Sequence, residues 1–462
     1  MVAFGRLDLG GKIRITPLTT TEDQFALFKK LYSSSDRAFI LESLIGPKEL
    51  AEMSVIGFDP EVTVTCDSKA FTVERRGRIR KQKVTEPLSQ LRQLVPEVKD
   101  DTFRYIGGAV GYISYDAIRF WESLPVDKRK GKSTFPLMEF GIYTDGILYN
   151  HKEGRAYYFY LGKSRLKEIK RRLAKAPAKK SAPFSHTEPQ RNMTKEHFVG
   201  MVKKAKKYVY DGDTFQVVLA KNIKFDVKGD LLRFYEALRE VNPSPYMYLM
   251  KMGKRCIIGS SPEMLVRVTK GRYVETFPIA GTRPIVEDEQ KNEDMRQDLL
   301  KDEKELAEHT MLVDLARNDI GRVCRYGTVK VDELMTVKRF SHVQHIVSHV
   351  TGNLQKSYDS YDALKAVFPA GTVSGAPKVR AMEIIDELEP DLRGPYAGAL
   401  GYFSFNGSCD FAITIRSLFV DRNKAYIQSG AGIVMDSKPE KEWDETEHKA
   451  NALLSALRKA AS

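Results

Sequence analysis

Cysteine is scarce in this chain: four residues in 462, Cys66, Cys256, Cys324 and Cys409, scattered with no CxxC spacing. That pattern excludes a disulfide framework and a structural zinc site, and leaves the four as small core residues. Long apolar runs are missing too. No stretch approaches the roughly 18 consecutive apolar residues of a membrane span, and the first 14 residues lack the apolar h-region of a secretory signal. The expectation is a cytoplasmic protein with no membrane partner. Acidic residues fall short of basic ones, 61 against 74, for a net charge of +13. The lysines concentrate at 128–132, 163–180 and 203–207, without the interleaved aromatics of a base-stacking platform. Nucleic acid is therefore not the expected partner. The positive field would instead draw an anionic metabolite toward a cleft. There is no internal repeat and no GxxxxGK[ST] phosphate loop.

With 42% apolar residues, a chain this long builds two or three domains or one large core. Residues 173–190, rich in Pro, Ala, Lys and Ser, read as a linker or exposed crossover between a β-rich part (1–190) and the remainder (191–462). Strands are predicted at 103–115, 140–149 and 156–161, then at 217–220, 256–259, 264–268, 273–278, 398–405, 411–420 and 425–430. Asn406-Gly407 signals a hairpin. Helices are predicted from Thr194 and over 231–240, 303–317, 378–388 and 440–459. Antiparallel strand signals mixed with long helices argue an α+β class.

The chemistry concentrates in a few segments. Glu305 and Glu308 lead into Leu312 and Leu315 on one helical stripe, and Glu442 and Glu445 repeat the spacing above Thr446, Ala450, Leu453 and Leu457. Either pair alone suits surface ion pairing. Two inward-facing pairs would repel unless protonated or bridged by a cation, and hard oxygen donors suit Mg²⁺. Glycines after predicted strands, in Ile279-Ala280-Gly281-Thr282-Arg283 and Ser429-Gly430-Ala431-Gly432-Ile433, serve as turns or let backbone N–H groups approach an anion. Pro377, at the start of a helix in Thr372-Val373-Ser374-Gly375-Ala376-Pro377-Lys378, puts another helix N-terminus where an anion could lie. Arg416, in an otherwise apolar predicted strand, needs a carboxylate partner or a substrate anion. His342 and His345 alternate on a predicted strand, with His345 either a proton-transfer or orienting group or a core histidine.

Taken in order, Gly212-Asp213-Thr214-Phe215-Gln216-Val217-Val218-Leu219, Asn242-Pro243-Ser244-Pro245-Tyr246-Met247, Ser261-Pro262-Glu263, Pro278-Ile279-Ala280-Gly281-Thr282-Arg283-Pro284, Glu308-His309-Thr310-Met311-Leu312-Val313-Asp314-Leu315-Ala316-Arg317-Asn318-Asp319, Gly371-Thr372-Val373-Ser374-Gly375-Ala376-Pro377-Lys378 and Ser429-Gly430-Ala431-Gly432-Ile433-Val434 resemble the chorismate-utilising enzyme family. The likeness is closest to its anthranilate synthase branch. It runs from about residue 195 to the end. Before that it is looser, carried by Leu41-Glu42-Ser43 and Ile106-Gly107-Gly108-Ala109-Val110-Gly111-Tyr112; the family's Gly-Arg-Tyr is missing before Ser54-Val55-Ile56-Gly57, and Ile-Val replaces Arg-Gly after Pro284.

The resemblance implies a large mixed-to-antiparallel β-sandwich-like core flanked by helices, with the β-rich N-terminal part packed against it. It implies Mg²⁺ on Glu308 and Glu445 with Glu305 and Glu442 beside it. Gly281, Thr282, Gly430, Ala431, Gly432 and Lys449 would bind substrate carboxylates, and Tyr396 and Arg416 the enolpyruvyl carboxylate. His345 and Thr372 would line the reacting ring, with Glu263 as general acid. The implied reaction converts chorismate and ammonia to anthranilate and pyruvate, the first committed step of tryptophan biosynthesis. Gln216 and Ala280 stand where other branches carry lysine: a base that activates water at the first, a covalent nucleophile at the second. Ammonia needs neither. The alternative within the family is the aminodeoxychorismate synthase branch; outside it, a basic binding protein that has lost turnover.

Leu41, Glu42 and Ser43 with Pro245, Tyr246 and Met247 match the family's tryptophan effector site, implying feedback inhibition. No Gly-x-Cys-x-Gly glutaminase elbow surrounds any cysteine. Glutamine would therefore be used only through a separate amidotransferase subunit, the second component, in a heterotetramer.

Overall fold

The computed structural model describes residues 11–44, 52–125, 129, 133–174, 182–270, 272–340 and 343–462. Two large sheets dominate, and every pairing between their strands is antiparallel among the described residues. The 13-stranded sheet runs from Ile13–Leu18 through Arg37–Glu42, Tyr246–Met252, Arg255–Ser261, Ser417–Asp421 and Lys424–Ile433 to Gln216–Lys228 and Ser185–His186. The 12-stranded sheet runs from Ile279–Pro284 through Val343–Asn353, Met264–Thr269, Cys409–Ile413, Ala399–Ser404 and Gly108–Ile113 to Arg78–Lys83.

Apart from the short edge strand Ser185–His186, each sheet sets a block of strands from before residue 190 beside a block from after it, so that point marks a place in the chain and not a break in either sheet. The junction lies between Arg37–Glu42 and Tyr246–Met252 in one sheet and between Ala399–Ser404 and Gly108–Ile113 in the other. The expected linker lies partly outside the described residues; before it the helix Leu166–Ala174 closes the N-terminal part.

Apolar alternation along the strands builds the layers. Phe39, Val64, Phe140, Tyr248, Phe403 and Phe411 fill the space between the sheets. On the outer face of the larger sheet, Ile40, Leu249, Ile258 and Ile427 pack under the helices Gln24–Tyr32, Leu231–Val241 and Pro439–Ala461. Predicted helix limits hold well: 378–388 is observed as Lys378–Leu388, and Thr194 caps Lys195–Tyr210 by accepting from the His197 amide. The hairpin at Asn406-Gly407 joins Ala399–Ser404 to Cys409–Ile413, with Gly407 at φ 81°.

Two predicted strands break. Residues 140–149 divide into Met138–Tyr143 and Asp145–Asn150, and 411–420 into Cys409–Ile413 and Ser417–Asp421, which belong to different sheets. Arg416 sits at the second break with φ 49°, a left-handed backbone that ends the strand and turns the chain from one sheet to the other.

Candidate active site

The site forms where the open end of the larger sheet meets the helix Glu303–Gly321 and the edge of the smaller sheet. Asp302 caps that helix, accepting from the Lys304 and Glu305 amides, so its first turn is fixed where Glu305 and Glu308 leave it. Burial, then the neighbouring Glu308 carboxylate, pushes the Glu305 carboxyl above its usual range. Glu308 accepts 2.7 Å from Gln216 Nε2. Gly281 leaves room for Glu305, since a Cβ there would stand 3.3 Å from Glu305 Oε2, and its φ of +63° favours glycine.

At the start of the Pro439–Ala461 helix Glu442 is buried, and burial with the repulsion of Glu445 raises its carboxyl as well. The Lys304 ammonium reaches Glu442 electrostatically, so the two acidic helix starts lie in each other's field. Glu445 departs from the expected inward pair. Its side chain is half exposed and bonded 2.7 Å to Lys449, while Glu442, Trp443 and Thr446 on the neighbouring face of the same turn are buried. Among the described residues, no three acidic, histidine or cysteine side chains already converge on a metal position. The carboxylates make an open set of oxygen donors.

The remaining predicted residues surround this set. His345, on Val343–Asn353, points its Nδ1 at the Gly281 carbonyl, 2.8 Å away, with the Thr282 hydroxyl at 3.1 Å. A carbonyl only accepts, so Nδ1 carries the proton and Nε2 is left as the basic nitrogen. Burial holds the ring at about 4, and Arg416 and Lys449 add to that. The neutral ring is therefore the form present near neutrality.

Glu263 is buried, receives the Thr372 hydroxyl at 2.8 Å, and is pushed up to about 8 by burial against the opposing pull of Thr372, Arg416 and Lys449. It stays protonated at neutral pH. Lys449 Nζ donates 3.0 Å to the Gly430 carbonyl. Tyr396 stands against Gly430, where a Cβ would meet its hydroxyl at 3.0 Å. Ala280, on the same strand as Gly281, is buried and offers no reactive atom.

Arg416 was expected to meet either a carboxylate partner or a substrate anion; its guanidinium makes no hydrogen bond or ion pair among the described residues, Glu263 acts on it only through space, and burial lowers its affinity for the proton. Such a cation is open to an anionic ligand. The glycines expected after a strand instead lie within Lys424–Ile433, paired with Gln216–Lys228. Their other edge is open, because pairing with Ser417–Asp421 stops at Ile427.

Sequence reasoning passed over the supports. Arg393 is fully buried, bonded to Glu389 and to the carbonyls of Val218 and Val373, and lies over the Tyr115 ring. It clamps the Thr372 segment to the strand that begins with Gln216. His309 meets the Ser348 hydroxyl at 2.6 Å, tying the carboxylate helix to the strand of His345. Asp319 holds Lys378 at 2.7 Å, joining that helix to the end of the Thr372 segment. Only placement inside matched strings signalled His309, Asp319 and Lys378; nothing marked Arg393 or Glu389.

The sequence profile described as "chorismate binding enzyme" matches residues 36–455. The chain belongs to the chorismate-binding enzyme family. Anthranilate synthase component 1 of Methanothermobacter thermautotrophicus is 49% identical over 441 residues, covering 94% of this chain and 92% of that one. The crystal structure of anthranilate synthase component I from Streptococcus pneumoniae superposes with a TM-score of 0.75 at 36% identity, over 87% of this chain and 92% of that one. The menaquinone-specific isochorismate synthase of Escherichia coli shares the fold, with a TM-score of 0.73 at 21% identity over 96% and 94% of the two chains. The residues collected here are the four carboxylates, the Arg416 guanidinium with no hydrogen bond or ion pair among the described residues, the protonated Glu263 and the neutral His345.

The segments matched to an effector site also meet. Leu41 and Glu42 pair with Tyr248 and Met247 across adjacent strands, and a cavity of about 40 Å³ is lined by Leu41, Glu42, Ser43, Tyr246 and Met247 together with Arg104 and Asp410. Pro245 is buried beside it. The Glu42 carboxylate is already engaged, accepting from Tyr235 at 2.6 Å and from Arg239 at 3.2 Å.

Proposed function

We propose that the chain is the chorismate-converting component of anthranilate synthase, forming anthranilate and pyruvate from chorismate and ammonia. The observation that carries this reading is Gln216 bonded to Glu308 inside the carboxylate set, with Ala280 nearby on the Gly281 strand. Neither position can supply a base for water or a covalent amine.

The open oxygen donors of Glu305, Glu308, Glu442 and Glu445 fit Mg²⁺, which ordinarily retains waters and borrows ligands from its substrate. Their raised carboxyls at Glu305 and Glu442 also mark negative charge in need of a cation. Held by these carboxylates, the ion would supply charge neutralisation at the ring carboxylate and Lewis-acid polarisation of the ring. Arg416, with the Tyr396 hydroxyl, receives the enolpyruvyl carboxylate. Glu263, protonated and held by Thr372, gives its proton to the departing 4-hydroxyl, which leaves as water. His345, neutral and with no partner for its basic Nε2 among the described residues, would take the ring proton when pyruvate is eliminated.

Glutamine would be used through a second, amidotransferase component, and tryptophan would inhibit from the Leu41–Tyr246 cavity. The effector's ammonium must then compete with Arg239 for Glu42. The aminodeoxychorismate reading is disfavoured by alanine at 280. Glu308→Gln and Glu445→Gln test the metal assignment: each should abolish Mg²⁺-dependent turnover and weaken Mg²⁺ binding in calorimetry, and full activity in both would refute it.

A further inference from the structure

The cavity between Leu41 and Tyr246 holds about 40 Å³, whereas sites for small organic ligands run to about 300–1,000 Å³. A second cavity, of about 310 Å³, adjoins it, and Met53 and Arg104 line both. Glu52 lines the second cavity and meets Arg104 Nη2 at 3.3 Å, so this ion pair stands with Met53 where the two spaces touch.

The backbone around Arg104 is held on both sides. Asn406 Nδ2 donates to the Phe103 carbonyl at 2.9 Å, and the Ile106 amide donates to Ser404 Oγ at 3.2 Å. Between them Tyr105 is fully buried against the rings of Phe39, Phe159 and Tyr402. The guanidinium is held less firmly. Its Nε is buried with no hydrogen-bond partner among the described residues. Glu52 also has a second cation, Lys152 at 2.9 Å, and so stays paired when Arg104 turns away.

The charges lining the smaller cavity are unequal. Glu42 and Asp410 are carboxylates, and Arg104 is the one cationic side chain lining it among the described residues. Asp410 already accepts from Tyr246 and from Arg267, each at 2.9 Å. An aromatic amino acid brings a ring, an ammonium and a carboxylate. Of the lining charges, Arg104 alone complements the last.

We infer that Arg104 binds the effector's α-carboxylate, exchanging Glu52 for it and joining the two cavities into one site. This rests on the effector reading above and names the residue that admits and anchors the ligand. The exchange swaps one carboxylate for another, so the guanidinium keeps a counter-charge. Its planar fork of N–H donors, the unpaired Nε included, suits a bidentate carboxylate. Movement of the side chain also gives the ring the space that the closed cavity lacks. In the ligand-free chain Glu52 competes for Arg104 and lowers the apparent affinity by the fraction of chains in which the pair is closed.

The test is calorimetry of the purified chain with L-tryptophan and with L-tryptophan amide, which keeps the ring and the ammonium and lacks the carboxylate charge. Arg104→Met should weaken L-tryptophan by about 10–100-fold, the loss of a charge-assisted pair, and the amide by less than about threefold. Glu52→Gln should act in the opposite direction, tightening L-tryptophan by about 2–5-fold by removing the competitor. Arg104→Lys, which keeps the charge without the fork, should fall between Arg104→Met and the wild type. Unchanged tryptophan affinity in Arg104→Met would overturn the inference, as would equal losses for tryptophan and its amide. Weaker tryptophan binding in both Arg104→Met and Glu52→Gln would make the pair a brace for the cavity wall and overturn it too. A wild-type chain that binds neither ligand would bring the inference down together with the effector reading on which it rests.

Discussion

Replacing Glu263 with Gln should cost activity and add stability, with the gain appearing only as pH rises. Glu263 is buried and binds its proton up to about pH 8, against 4.5 for an ordinary glutamate. Each tenfold in proton affinity is worth about 1.36 kcal/mol, so keeping this group buried and ionised costs on the order of 5 kcal/mol. Below 4.5 both folded and unfolded chains carry the proton and nothing is lost. Between 4.5 and 8 the folded chain keeps a proton that the unfolded chain has released, so stability falls with rising pH; above 8 the loss is complete. A glutamine is spared it, and Thr372 can still donate to the amide oxygen.

Denaturant unfolding of the two proteins, without ligands, should therefore agree within about 1 kcal/mol near pH 4.5. By pH 9 Glu263→Gln should lead by about 3–5 kcal/mol. In turnover, loss of a general acid should lower kcat by about 10²–10⁴ at neutral pH with little change in chorismate KM. Parallel stability curves for the two proteins, or a kcat within a few fold of wild type, would refute the assignment of Glu263 as a buried proton donor.

Other outcomes follow from the same geometry. Arg393→Met leaves Glu389 buried and uncompensated, and should destabilise the fold by about 3–5 kcal/mol in chemical denaturation. Gly281→Ala forces a side chain into φ +63° and to 2.8 Å from Leu299 Cδ1. It should cost about 1–2 kcal/mol and weaken Mg²⁺ binding through Glu305, both measurable by calorimetry. Arg239→Met frees the Glu42 carboxylate, so tryptophan should bind the variant no less tightly than the wild type if its ammonium uses Glu42; no tryptophan binding by either protein would dispose of the effector reading.

Much of the fold was legible because local signals agreed with tertiary ones. Thr194 before a helical stripe, Lys378 after Pro377 and Asn406-Gly407 between apolar runs each fix a boundary through local sterics and capping. The joining of both halves of the chain edge to edge in both sheets was not legible, because strand pairing across hundreds of residues leaves no local mark. The same limit explains Arg416: as a residue in an apolar run it reads as strand, while its left-handed backbone depends on two sheets diverging there. Glu445 carries the spacing of Glu442, yet exposure depends on which part of the helix is covered. The candidate site was readable as a set of residue types, with Glu263 as an acid through the resemblance, while the burial that sets its proton affinity and the neutral state of His345 was not. Burial sets Glu263 near 8 and His345 near 4, and burial is a property of the assembled layers. Gln216 was noticed for the lysine it replaces, whereas its bond to Glu308 and unpaired oxygen appear only in three dimensions.

Product identification tests the central claim most directly. Purified chain incubated with chorismate, Mg²⁺ and ammonium should yield anthranilate and pyruvate in equal amounts, separated by chromatography and confirmed by mass. Accumulation of 4-amino-4-deoxychorismate, or of isochorismate independent of ammonium, would contradict the account.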